Sequence, residues 1–144
     1  MLDETRKRVL AIDYGSKRVG IAISDPLCLF PSITITIPND KNFFSEIMNL
    51  IREKNVNKII LGYPFNDNGM TSDLGKEILK FRTRFENILK IKIDLWDEHL
   101  TSKMAASRIM SSVARKSKRR NKSLVDAHAA AIILEEYLRS SEKK

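Results

Sequence analysis

Three acidic residues stand where apolar runs stop or a helix begins. Asp13 ends the run Val9 to Asp13 (VLAID), Asp97 and Glu98 follow the run Ile91 to Trp96 (IKIDLW), and Asp126 lies early in an apolar C-terminal segment. Ligands of open α/β sheets lie at the carboxyl ends of strands, so Asp13 and Glu98 share an edge if their strands are parallel. Carboxylates brought together there repel one another, and a divalent cation relieves the repulsion. Hard oxygen donors select Mg²⁺ or Mn²⁺. Each acid also has a plainer reading. Asp13 could brace the turn before Gly15, Glu98 could favour a helix N-terminus as a surface acid, and Asp126 completes a capping-box pattern begun three residues earlier at Ser123.

Residues around these acids extend the pattern. Lys17 and Arg18 lie within six residues of Asp13 and could reach a phosphate held there, or could be ordinary hairpin-tip cations. Gly62 to Gly69 (GYPFNDNG) has turn composition and would overhang the same edge. His99, next to Glu98, could contact substrate or shuttle a proton; His128, two residues after Asp126, is off that residue's helical face and reads as structural. No Cys/His cluster suggests zinc, and no phosphate-binding P-loop pattern is present.

The elements that must position these residues follow from periodicity. Residues 9–13, 19–24 and 32–37 read as three strands with short links, hence an antiparallel meander. Phe43, Ile47, Leu50 and Ile51 then fall on one helical face, with Asp40 as the expected N-cap. Residues 58–62 form a fourth strand. Leu74, Ile78, Phe81, Phe85 and Ile88 mark a second helix, and residues 91–96 a fifth strand. Helices over 101–114 and 123–138 complete the order βββαβαβαα. A meander followed by strand–helix alternation implies a mixed sheet with helices on its faces and right-handed crossovers.

The length of 144 residues fits a single domain over 1–144, with 139–144 as a charged tail. The single cysteine, Cys28, forms no intramolecular disulfide, which agrees with a reducing, cytoplasmic location. No apolar run approaches the ~18 residues of a membrane span, and no signal-peptide cleavage pattern is visible. The net charge of +8 is concentrated. Residues 103–125 hold Lys103, Arg108, Arg115, Lys116, Lys118, Arg119, Arg120 and Lys122 without one acid; setting these eight aside brings the 26 Lys and Arg to parity with the 18 Asp and Glu. A focused basic patch is the footprint of a polyanion partner, although a solvated loop that aids solubility has the same composition.

Residues 9–25 (VLAIDYGSKRVGIAISD), the Gly62-to-Gly69 loop, residues 97–102 (DEHLTS) and residues 125–130 (VDAHAA) followed by Ile133 and Leu134 resemble, in order and across nearly the whole chain, the YqgF family. Its members are described as Holliday-junction resolvases and as nucleases that process the 5′ end of pre-16S ribosomal RNA. The resemblance implies an α/β, ribonuclease-H-like fold: a mixed five-stranded sheet, its first three strands antiparallel, its fourth and fifth parallel to the first. It implies that Asp13, Glu98 and Asp126 correspond to the family's acidic site residues. The expected activity is hydrolysis of a phosphodiester by two metal ions, Asp13 bridging them and Glu98 and Asp126 each holding one. Lys17, Arg18, His99, Arg115, Lys116, Lys118, Arg119, Arg120 and Lys122 would hold the nucleic acid. Two departures stand out: His99 replaces the family's usual arginine after Asp-Glu, and Tyr63 its usual leucine. The expected role is a cytoplasmic endonuclease of ribosome biogenesis, a monomer or homodimer acting on pre-rRNA or the ribosome precursor. The alternatives are a resolvase of four-way DNA, whose paired cuts need a dimer, and a nucleic-acid-binding adaptor with little nuclease activity. A phosphotransferase of the actin-like type would need a second lobe for which the chain has no length.

Overall fold

Burial along each strand follows its place in the sheet. The computed structural model describes residues 8–65, 72–97 and 122–142, with the backbone alone for 122–126 and 141–142. β1 (Arg8–Asp13), β2 (Arg18–Ser24) and β4 (Val56–Tyr63) carry apolar runs buried on both faces, whereas β3 (Pro31–Pro38) alternates Ile with Ser and Thr and is half covered. β5 (Ile93–Asp97) is short and closes the far edge, giving the order β3-β2-β1-β4-β5. β1, β2 and β3 pair antiparallel, and β4 and β5 run parallel to β1. This is the mixed arrangement expected from the sequence.

α1 (Phe43–Glu53) and α2 (Asp73–Leu89) cover one face, where Phe43, Ile47, Ile78 and Phe85 bury Leu10, Ile12, Ile59 and Leu61. α3 (Lys122–Glu142) covers the other, where Ala130, Ile133, Leu134 and Leu138 bury Val9, Ala11, Ala22 and Ile60. Successive residues of β1 therefore go to opposite layers, each fully buried Leu, Ile or Phe contributing about 1.5–3 kcal/mol. Among the described residues no helix is long and apolar enough to cross a membrane.

Several boundaries differ from the sequence reading. Asn42, not Asp40, precedes α1; the Asp40 carboxylate instead accepts the Asn42 N–H at 2.9 Å, closing a turn one step earlier. α2 is capped by Ser72, whose Oγ accepts the Gly75 N–H at 3.0 Å. β5 starts at Ile93 rather than Ile91, because Lys90 ends α2 in the left-handed region (φ 59°) and the chain needs two further residues to reach the sheet. α3 already includes Ser123, so that residue is not its N-cap, and the helix carries residues 139–142 of the expected charged tail. The expected helix over 101–114 lies outside the described residues.

Side chains hold the two ends of the sheet. In the β2–β3 turn, buried Asp25 accepts the N–H groups of Leu27, Leu29 and Phe30 at 3.1, 2.7 and 3.0 Å. Ser24 Oγ beside it accepts the Val9 N–H at 2.9 Å, tying the turn to β1. The edge strand β5 is gripped from both faces. Arg82 Nε of α2 donates to the Ile93 carbonyl at 2.8 Å, and Glu86 Oε2 accepts the Ile93 N–H at 2.7 Å. On the α3 side, Trp96 Nε1 donates to Glu136 at 3.3 Å and its ring meets Tyr137 edge-on. Lys58 of β4 pairs with Asp94 of β5; that hydrogen bond lifts the Lys58 ammonium above its ordinary value and holds the Asp94 carboxyl below its own.

Candidate functional site

Asp13 is the last residue of β1, between the parallel neighbour β4 and the antiparallel neighbour β2, where it pairs with Gly20. Val9 and Ala11 pack under α3 while Leu10 and Ile12 pack under α1 and α2. By that alternation half-buried Asp13 belongs to the α3 face. Strand β4 pairs Leu61 with Ile12 on one side and with Leu95 on the other, so Asp13, Gly62 and Trp96 stand level across the C-terminal edge. Gly62 shares a face with Ile60, the α3 face, and places no side chain between Asp13 and Trp96.

The loop after Asp13 is held rigidly. A Cβ at Gly15 would drive into the Arg18 carbonyl oxygen, so only glycine fits the path. Asn39, just past β3, donates from Nδ2 to the Gly15 carbonyl at 2.8 Å and from its backbone to the Lys17 carbonyl at 2.9 Å. Lys17 is thereby presented to solvent at the hairpin tip, and Arg18 begins β2 half-buried. Asn39 was not among the residues singled out from the sequence, because an asparagine after a strand-ending proline is ordinary turn composition.

The other expected site residues are placed in part or lie outside the described residues. Asp126 and Lys122 fall in the opening turns of α3, described in backbone only; Glu98, His99, Arg115, Lys116, Lys118, Arg119 and Arg120 lie outside. Glu98 follows by two residues Trp96, whose side chain packs on the α3 face. Among the described side chains no group of three His, Cys, Asp or Glu is placed to hold a metal ion. The set Asp13, Glu98 and Asp126 fits a hard divalent cation in donor chemistry, and Gly62 beside Asp13 adds no side chain of its own on the α3 face. His128 sits half-buried in α3 among Ala127, Ala129 and Ala130, and Cys28 packs under α3 with its Sγ 3.8 Å from Ser24 Oγ.

Similarity to known proteins covers nearly the whole chain. The family model described as "RuvX: Holliday junction resolvase" matches residues 7–140. A protein of Chlorobium phaeobacteroides (strain BS1), named "Putative pre-16S rRNA nuclease", is 37% identical over 139 residues, 94% of this chain and 94% of that one. One of the same name from Flavobacterium psychrophilum is 39% identical over 132 residues, 91% of this chain and 96% of its own. Among solved structures, Thermus thermophilus RuvC in complex with a Holliday junction substrate superposes with a TM-score of 0.57 at 12% identity, over 94% of this chain and 96% of that chain. The Fowlpox virus resolvase in complex with Holliday junction DNA does so at 0.56 and 14%, over 93% and 98%. At those identities the likeness is one of fold, the ribonuclease-H-like fold of resolvases. The level placement of Asp13, Gly62 and Trp96, the full-length match to the family model and relatives at 37–39% identity agree, and the chain belongs to the RuvX (YqgF) family.

Proposed function

We propose that this chain is a metal-dependent phosphodiester endonuclease that processes the 5′ end of pre-16S ribosomal RNA in the cytoplasm, with Asp13, Glu98 and Asp126 as its carboxylates. The observation that carries this reading is the place of Asp13, half-buried at the carboxyl end of the central strand, in a chain whose curated relatives are named for that RNA. Asp13, Glu98 and Asp126 would hold Mg²⁺ or Mn²⁺. A bound divalent cation supplies Lewis acidity and a water of lowered pKa. Asp13 contributes a carboxylate whose backbone is fixed by pairing with β2, so little reorganisation accompanies substrate binding. Lys17 and Arg18, on the braced hairpin, orient the phosphodiester, and Arg115 to Lys122 extend the basic track along the strand. His99 adds an imidazole contact beside Glu98 in place of the family's usual arginine. Phosphate contacts carry no sequence information, so selectivity comes from RNA shape or from the ribosome precursor.

The family model's description favours one further reading, a resolvase of four-way DNA junctions, which requires a homodimer for paired cuts, whereas RNA processing is open to a monomer. Both are tested together. The protein and its Asp13→Asn variant are incubated with a pre-16S 5′-leader RNA and with a four-way DNA junction, each with Mg²⁺, Mn²⁺ or chelator. The expected result is metal-dependent RNA cleavage that falls at least about 100-fold in the variant. Paired junction cuts would put the resolvase in its place, and salt-sensitive binding without cleavage by both proteins would leave the adaptor.

A further inference from the structure

α2 presents Lys76, Lys80 and Arg84 to solvent at four-residue intervals, one row along the helix. Like charges at that spacing repel, and Lys76 lies near the helix N-terminus, where the dipole disfavours a cation. Among the described residues none of the three is ion-paired; the ion pair described within α2 joins Arg82 to Glu86. Asp73 and Glu77 each stand three residues from one of these cations and offset part of the repulsion, so the row points to an external anion only together with what lies beside it.

Beside this row lies a cleft of about 280 Å³ between α2, α1 and the hairpin that follows Asp13. Tyr14, Asn39 and Phe44 line one side and Glu77, Lys80 and Arg84 the other, with buried Phe81 among them. Its aromatic wall is ordered: the Phe44 ring stacks on Phe81 at 5.9 Å and 22°, the Tyr14 ring lies 4.9 Å from Phe81, and the Arg84 guanidinium sits 5.0 Å from the Phe44 centroid. The volume is just below the ~300–1,000 Å³ of pockets for drug-sized ligands, enough for one flat ring system and its attached phosphate. Aromatic faces next to a cationic row are the chemistry that holds an unpaired nucleotide, the base on the rings and the backbone on the cations. Tyr14 follows Asp13 directly, but its side chain packs into the α1–α2 core whereas Asp13 belongs to the α3 face, so cleft and carboxylate flank one hairpin.

We propose that this cleft binds one unpaired nucleotide of the substrate strand adjacent to the cleaved bond, its base against Tyr14 and Phe44 and its phosphate on Lys80 and Arg84. The inference rests on the nuclease reading and deepens it. A base locked in a duplex cannot offer its face to the rings, so the cleft makes a single-stranded segment beside the cut a requirement for tight binding. Glu77, at the rim, repels the phosphate away from its own end of the cleft and can accept a hydrogen bond from an exocyclic amine of the base.

Two fluorescent two-stranded RNA duplexes with identical stems test this in chelator, where no cleavage occurs: one blunt, the other with six-nucleotide single-stranded extensions at both ends. The exposed double variant Lys80→Gln/Arg84→Gln is expected to bind the extended RNA about tenfold more weakly while blunt-stem affinity stays within twofold. Equal weakening of both RNAs, or of neither, overturns the proposal. A 4-thiouridine in the extension is expected to crosslink to the tryptic peptide holding Phe44, which carries no residue of the carboxylate site, and crosslinks confined to other peptides overturn it as well. Because binding is read without cleavage, failure here is separable from failure of the Asp13→Asn assay.

Discussion

Burial by itself pushes the Asp25 carboxyl up, but the N–H groups of Phe30, Leu29 and Leu27 outweigh it and hold the carboxyl below its ordinary range. A folded value below the unfolded one means that the stabilisation is complete above the unfolded value of ~3.9 and is lost as pH falls through the lower folded value. Asp25→Asn is therefore expected to lower stability at pH 7 by about 1–2 kcal/mol, with the gap to the parent closing below about pH 4; thermal melts of both proteins across pH 3–7 check it. Asp25 ended the longest motif of the family resemblance, yet its role as the hub of a turn was not legible, since three N–H donors within five residues become visible only in the folded chain. The place of Asp13 at the end of β1 was legible because the apolar run stops there. Two of the cleft residues had a signal that periodicity in hydrophobicity passes over: the cations at positions 80 and 84, in a four-residue spacing that begins at Lys76.

Among the elements, the strands were readable from composition and their ends were not. The apolar runs of β1, β2 and β4 and the Ile/Thr alternation of β3 report directly on two-sided and one-sided burial. In α2 the helical spacing of Leu74 and Ile88 misleads, since they are 44% and 42% exposed while Gly75 takes a buried position. The reason is that the buried face of α2 runs through Gly75, Ile78, Phe81 and Phe85, and Leu74 and Ile88 lie to the side of it. Strand β5 depends on contacts no strand propensity contains. Arg82 and Glu86 satisfy the Ile93 carbonyl and N–H, covering backbone that an edge strand would otherwise leave to another chain. Arg82→Ala/Glu86→Ala is expected to cost about 1–3 kcal/mol and to raise amide exchange in β5 more than in β1. Exchange rising equally in both strands would mean that these side chains stabilise the fold generally, without a local hold on the edge.

At the scale of the molecule, the charge excess of +8 belongs to residues 103–125, and their neutralisation should be felt as a salt effect. Replacing Arg115, Lys116, Lys118, Arg119, Arg120 and Lys122 by Gln is expected to flatten the slope of log affinity against log salt for single-stranded RNA by up to about 4, roughly 0.7 per phosphate released. Fluorescence anisotropy between 50 and 300 mM KCl measures it, and an unchanged slope would assign the run to solubility alone. The long-range architecture was legible in outline, because a meander followed by strand–helix alternation admits few sheets. The layer to which each helix goes was not, since the burial pattern of a two-faced strand is the same from either side. That layering also fixes an order in time. The roof over Val9, Ala11 and Ala22 is α3, which leaves the ribosome after all five strands. Until Ala130, Ile133 and Leu134 emerge, the described side chains that cover Val9, Ala11 and Ala22 are missing, and Asp126 has only just been synthesised. If Asp126 holds the metal as proposed, the helix that roofs β1 and β2 also carries a ligand of the site, so a chain whose α3 has not docked lacks both the second layer and that carboxylate.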